Sequence, residues 1–166
     1  MESYSVRYRF AQPFDFSAET AYGWCTDYQP DDLALMGWKG TRKIDSINED
    51  ALILTDTMVD AGKRVRASRL VRLNPDQLSW TSTHLTGTHK FSQFWCQILP
   101  EGQTGSRLEF IGLHVNYGKR PSPARIASMA RELADADSSE WVLLAKAMKE
   151  DLTPRRSRGS SRNQAR

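Results

Sequence analysis

Between Thr41 and Tyr117 the chain carries six strand-like segments, and the stretches separating them are too short to hold a crossover helix. Parallel strands need connections of a dozen or more residues, so this spacing dictates an antiparallel meander. The segments fall near 41–47, 51–59, 63–73, 78–86, 89–99 and 106–117. Turn chemistry marks the breaks: Asn48-Glu49-Asp50, Ala61-Gly62, Asn74-Pro75-Asp76-Gln77, Gly87-Thr88 and the loop from Glu101 to Gly105. No internal repeat appears.

Helices flank this block. Before it, Tyr4 to Phe10 alternates apolar and polar residues as a half-buried strand does, with Pro13 expected to end it. Ser17 opens a short helix to Thr26, and Pro30-Asp31-Asp32 opens a second through Met36, stopped by Gly37. After Pro121 the apolar residues Ile126, Met129, Leu133, Trp141, Leu144, Ala145, Met148 and Leu152 recur at helical spacing up to Pro154. Two readings stay open at the polar middle of this segment, where Asp137 and Glu140 have capping-box spacing: an unbroken helix, or a kink and restart. The class is α+β.

At 166 residues the chain has the length of one domain, here 1–153, followed by a disordered Arg-rich tail over 154–166. The net charge of +3 resembles a nucleic-acid signal until it is located. Five of the 23 basic residues and none of the 20 acidic ones lie beyond Pro154, leaving 18 basic against 20 acidic groups before it. The tail could make only a weak, salt-sensitive contact with nucleic acid or an anionic surface. No run approaches the roughly 18 apolar residues that cross a bilayer, and the N-terminus lacks a signal-peptide pattern, so no integral membrane association is expected and the location expected is the cytoplasm. Cys25 and Cys96 are too few for a disulfide framework and lack metal-ligand spacing. No metal and no cofactor is expected. Oligomeric state is not legible.

Turn lengths set which residues share a face of the sheet. A two-residue turn at Gly87-Thr88 pairs His84 with Phe91, Ser82 with Gln93, and Trp80 with Trp95. A four-residue loop at 74–77 adds Ala67, Arg69 and Val71 to that face, and a two-residue turn at Ala61-Gly62 adds Leu54, Asp56 and Met58, with Asp56 diagonal to Arg69. The inner face then mixes large rings with polar groups. A sheet packed directly on a helix would fill it with aliphatic side chains, because buried polar groups need partners. Aromatic walls with a few polar groups instead describe a small-molecule cavity. An ion pair between Asp56 and Arg69 serving structure alone is the competing account of those two residues. The inward sides of 41–47 and 106–117 stay open, Gly112 permitting a bulge in the latter.

The element order of strand, two short helices, six-stranded meander and long helix resembles the START-like or Bet v 1-like (SRPBCC) superfamily, which includes polyketide cyclase/dehydrase and lipid-transport relatives. The resemblance covers about residues 3–152 and rests on Tyr4-Ser5-Val6-Arg7-Tyr8-Arg9-Phe10, on Trp24-Cys25-Thr26-Asp27-Tyr28 with Pro30-Asp31-Asp32-Leu33, and on the Ile126-to-Leu152 helix. It implies a helix-grip fold: a curved seven-stranded antiparallel sheet around the C-terminal helix, with two short helices between strands 1 and 2 and a ligand cavity between sheet and helix. The family has no universal catalytic motif, so it transfers no catalytic residue.

Three functions follow as expectations. The first is binding of a small hydrophobic or amphipathic molecule (a lipid, polyketide or aromatic compound) by Asp56, Met58, Arg69, Trp80, Ser82, His84, Phe91, Gln93, Trp95, Met129 and Leu133, with Arg69 suited to a carboxylate or phenolate. The second is an enzyme resembling the cyclase/aromatase members, with His84 as acid/base candidate and Asp56 or Glu109 as alternatives; His89 and His114 are no better placed. No nucleophile motif or phosphate loop occurs, Gly102-Gln103-Thr104-Gly105 being a hairpin loop. The third is a protein-interaction module using outer-face residues such as Phe94 and Ile53, or the tail.

Overall fold

A computed structural model describes residues 2–154; the tail expected beyond lies outside the described residues. Seven strands, β1 (Ser3–Phe14), β2 (Gly40–Asn48), β3 (Ala51–Asp60), β4 (Lys63–Asn74), β5 (Ser79–His84), β6 (Gln93–Glu101) and β7 (Gly105–Tyr117), form one antiparallel sheet in the order β1-β7-β6-β5-β4-β3-β2. Helices α1 (Ala18–Thr26) and α2 (Asp32–Leu35) lie between β1 and β2, and α3 (Pro123–Leu152) closes the chain. The meander forms because each connection is a local turn. Ala61 and Gly62, at φ 46° and 76°, make the tight link that sets Asp60 opposite Lys63.

Caps fix the helices. Ser17 Oγ accepts from Thr20 N at 3.2 Å, and Ser122 Oγ accepts from Arg125 N at 3.3 Å ahead of Pro123 in the first turn of α3. The helix α3 runs unbroken through Asp137, so of the two readings the continuous one is observed. Pro13 does not end β1, which continues to Phe14. Being at the sheet's edge, β1 has one side free of ladder bonds and tolerates a residue that lacks an N–H.

The inward side of β7 is the one bearing Leu108, Phe110 and His114, all buried, and its pairing with β1 and β6 is continuous, without a bulge. Gly112 serves a different end. It faces Tyr8 across β1 and β7, and a Cβ there would overlap the tyrosine ring, so its missing side chain gives Tyr8 its place above the sheet. On β2 the inward residue is Arg42, opposite Asp56.

Ala18 and Ala21 of α1 and Met148 of α3 join Phe14, Ile98 and Leu108 in the buried apolar cluster, which extends to Leu54, Val71 and Trp80 on the cavity floor. Toward its other end α3 stands away from the sheet. Met148 is the only one of its 30 residues classed as buried, which leaves space over β3, β4 and β5 that protein atoms do not fill.

Candidate functional site

That space is a cavity of about 780 Å³, bounded by the sheet, α1, α2 and α3. The strand register decides which side chains face it. Between β4 and β5, Asn74 pairs with Ser79 and Arg69 with His84, because Leu78 turns at φ 47° and the connection is Pro75 to Leu78. This moves the expected pairing by two positions and keeps the same faces: Arg69, Val71, Trp80, Ser82 and His84 all line the cavity. Asp56, Met58, Met129 and Leu133 do so as well.

The β5–β6 register corrects the remaining expectation. Phe91 sits at φ 70°, its N–H donating to His84 O at 2.8 Å, while His84 N donates to Ser92 O at 2.9 Å. Two residues thus face one, a bulge that replaces the two-residue turn at Gly87-Thr88 and changes the parity of the whole strand. Trp80 pairs with Cys96 and Ser82 with Phe94. Gln93 and Trp95 therefore lie on the outer face, and Phe91 projects to solvent with 57% of its surface exposed. None of the three lines the cavity, whereas Phe94 and Cys96 do. Phe94, expected on the outside, lies edge-on to His84 at 5.4 Å and beside Phe110 at 5.6 Å. The bulge leaves no mark in the sequence because its left-handed position is usually glycine and here holds phenylalanine.

The polar groups form three sets. In the first, Arg42 Nε and Nη2 donate to Asp56 Oδ1 and Oδ2 at 2.7 and 2.9 Å, Arg42 Nη1 reaches Asp32 at 3.1 Å, and Arg69 Nη2 reaches Asp56 Oδ2 at 3.0 Å. Burial pushes the Asp56 carboxyl up, but the two guanidiniums outweigh it and hold it below the usual carboxylate range. Asp56 is thus an anchor rather than a general base, and part of Arg69's charge is spent on it. The expected diagonal pair exists, with Arg42 as its larger half.

The second set is three histidines. His89 lies 4.4 Å from His114 and 6.3 Å from His84, ring centre to ring centre. Burial, with the nearby charges of Arg69 and the other imidazoles, lowers His84 to about 4 and keeps it neutral at physiological pH. Among the described residues its Nδ1 has no partner, nor do Ser82 Oγ and Asn116 Nδ2 in the same cavity. Glu109, the other acid/base alternative, is on the opposite side of β7, bound by Arg107 at 2.7 Å.

Sequence reasoning missed the third set. Asp137 and Glu140 of α3 are one turn apart and line the cavity; Tyr8 Oη donates to Asp137 Oδ2 at 2.5 Å and Trp38 Nε1 to Glu140 Oε1 at 2.9 Å. Burial raises both carboxyls above their ordinary range, the neutral donors only partly offsetting it. The signal available was a polar patch inside an amphipathic helix, which also reads as a cap. Among the described residues no group of histidines, cysteines and carboxylates is arranged to hold a metal ion, and no helix is long and apolar enough to cross a membrane.

No family model and no curated protein matches this sequence. Solved structures do. The Zhui aromatase/cyclase from Streptomyces sp. R1128 superposes with a TM-score of 0.72 at 8% identity, over 90% of this chain and 97% of that one. Norcoclaurine synthase from Thalictrum flavum gives 0.67 at 11% identity, over 92% and 91%. A START superfamily protein from Mycobacterium smegmatis gives 0.62 at 18% identity, over 89% and 99%. At such identities the likeness carries architecture and not activity. The curved seven-stranded sheet, the two short helices and the long closing helix identify the chain as having the START-like, Bet v 1-like (SRPBCC) helix-grip fold.

Proposed function

We propose that this protein binds a small amphipathic molecule with an aromatic or apolar body in the cavity between the sheet and α3. One observation carries the reading: about 780 Å³ of space is walled by Trp80, Phe94, Phe110 and Trp141 and holds buried polar atoms that none of the described residues satisfies. Orphaned polar atoms are costly in a finished core and ordinary in a site awaiting a ligand or water. The volume falls in the range of ligand pockets. Met58, Met129 and Leu133 supply adaptable apolar contact, and Ser82, His84 and Arg69 orient polar groups.

Native mass spectrometry of the protein purified from its own source, with extraction and identification of what it retains, tests this directly. A retained small molecule of amphipathic character is expected. In parallel, replacing Ser82 by Phe should fill the cavity from its floor and displace the ligand; retention at unchanged occupancy would move the site elsewhere.

A second reading is acid/base catalysis on a bound chain, as the aromatase/cyclase likeness would suggest. The Tyr8–Asp137 pair favours it, because a phenol hydrogen-bonded to a largely buried carboxyl can relay a proton to a bound molecule. His84, held neutral, is too weak a base to lead it. Turnover of a bound polyketide-like compound, lost in Tyr8→Phe with its binding intact, would establish this reading.

A further inference from the structure

The charges around the cavity do not balance. Eight carboxyl groups line it against three guanidiniums, with no lysine. All three guanidiniums are already committed: Arg42 and Arg69 to Asp56 and Asp32, and Arg125 to Glu132 at 2.7 Å. Asp137 and Glu140 have no cationic partner among the described residues. Each is held by a single neutral donor on one oxygen, Tyr8 on Asp137 Oδ2 and Trp38 on Glu140 Oε1. Asp137 Oδ1 and Glu140 Oε2 accept no hydrogen bond from the described residues. Three residues apart on α3, the two side chains project from the same helical face.

Independently of these acids, Ser82 on the sheet points to a ligand. Only 7% of this residue is exposed, yet its Oγ lines the cavity without a partner. A carboxylate withdrawn from water is stabilised above all by a cation, and aromatic rings that line the same cavity, Tyr8, Trp38 and Trp141, attract one further.

We infer that the cavity selects a protonated amine: an ammonium group seated between Asp137 and Glu140 beneath α3, with the molecule's apolar body among Trp80, Phe94, Phe110 and Trp141 and a polar end at Ser82 Oγ. This rests on the binding function proposed above and names its ligand class. It also reverses the expectation that Arg69 recruits a carboxylate, because that guanidinium already faces Asp56.

The test is a matched trio of probes with one ring system and three charges: 2-(1-naphthyl)ethylamine, 2-(1-naphthyl)ethanol and 1-naphthylacetate, titrated calorimetrically into the full chain at pH 7. The amine should bind at least tenfold more tightly than the alcohol, and the acetate least. Asp137→Asn and Glu140→Gln should each reduce the amine's advantage over the alcohol severalfold, with an unchanged far-ultraviolet circular dichroism spectrum and thermal melt reporting that the variants are folded. An alcohol that binds as well as the amine, or an acetate that binds best, overturns the amine assignment and leaves the binding reading standing. Failure of all three to bind overturns both.

Discussion

Replacing Asp56 with Ala removes the acceptor of three hydrogen bonds and leaves Arg42 with its side chain only 3% exposed and Asp32 its remaining partner at 3.1 Å. Arg69, at 27% exposure, can turn to water, so the loss falls mainly on Arg42. Two charge-assisted bonds at ~1.5–3 kcal/mol each, or equivalently the breaking of one buried pair, give a destabilisation of about 3–5 kcal/mol. For a domain of this size that lowers Tm by on the order of 10 °C. Urea unfolding followed by tryptophan fluorescence and circular dichroism together, with coincident transitions, gives the free energy. The double variant Arg42→Met with Asp56→Leu should regain at least half of the loss, since an apolar pair replaces the ion pair without stranding a charge. An Asp56→Ala protein within about 1 kcal/mol of the parent would refute the claim that this network is buried and mutually dependent.

Acid titration should expose His84. Its pKa in the folded protein, about 4, lies below the ordinary 6.5, so the unfolded chain takes up the proton first. The stability held by the neutral ring is complete above about pH 6.5 and is lost as pH falls toward 4; the full drop corresponds to at most ~3 kcal/mol and, after screening in a wet cavity, to on the order of 1–2. His84→Asn should flatten the unfolding free energy between pH 6.5 and 4 relative to the parent, and an unchanged slope would remove His84 as its source. Gly112→Ala should lower stability by about 1–3 kcal/mol by displacing the Tyr8 ring, and should shift the tyrosine's near-ultraviolet signal; a neutral outcome would mean that Tyr8 does not lie over Gly112. Phe91→Gly should raise stability by roughly 0.5–1 kcal/mol, because glycine takes φ 70° freely and little packing is lost at so exposed a site. A drop on thermal melting would mean that the aromatic ring, with Lys90 Nζ 4.9 Å from its centre, contributes more than its backbone strain removes.

The sequence by itself determined the order and kind of the elements. Period-two alternation, turn residues at Ala61-Gly62 and Asn74-Pro75, and helical spacing after Pro121 are local signals, and each reports a local conformation. They also placed Asp56, Arg69, Trp80, Ser82 and His84 on one face, because the β3–β4 turn has the expected length and the β4–β5 register differs from the expected one by two positions, an even shift that keeps every face. Only the tertiary structure decided the rest. A single left-handed residue at Phe91 turned Trp95 and Gln93 outward and Phe94 inward, and no side-chain pattern encodes a backbone choice that phenylalanine seldom makes. The meeting of Arg42 with Asp56 depends on the register of β2 against β3, and those of Tyr8 with Asp137 and of Trp38 with Glu140 depend on where α3 lies over the sheet. Partners separated by more than a hundred residues are brought together only by tertiary packing, which no neighbouring residue in the chain announces.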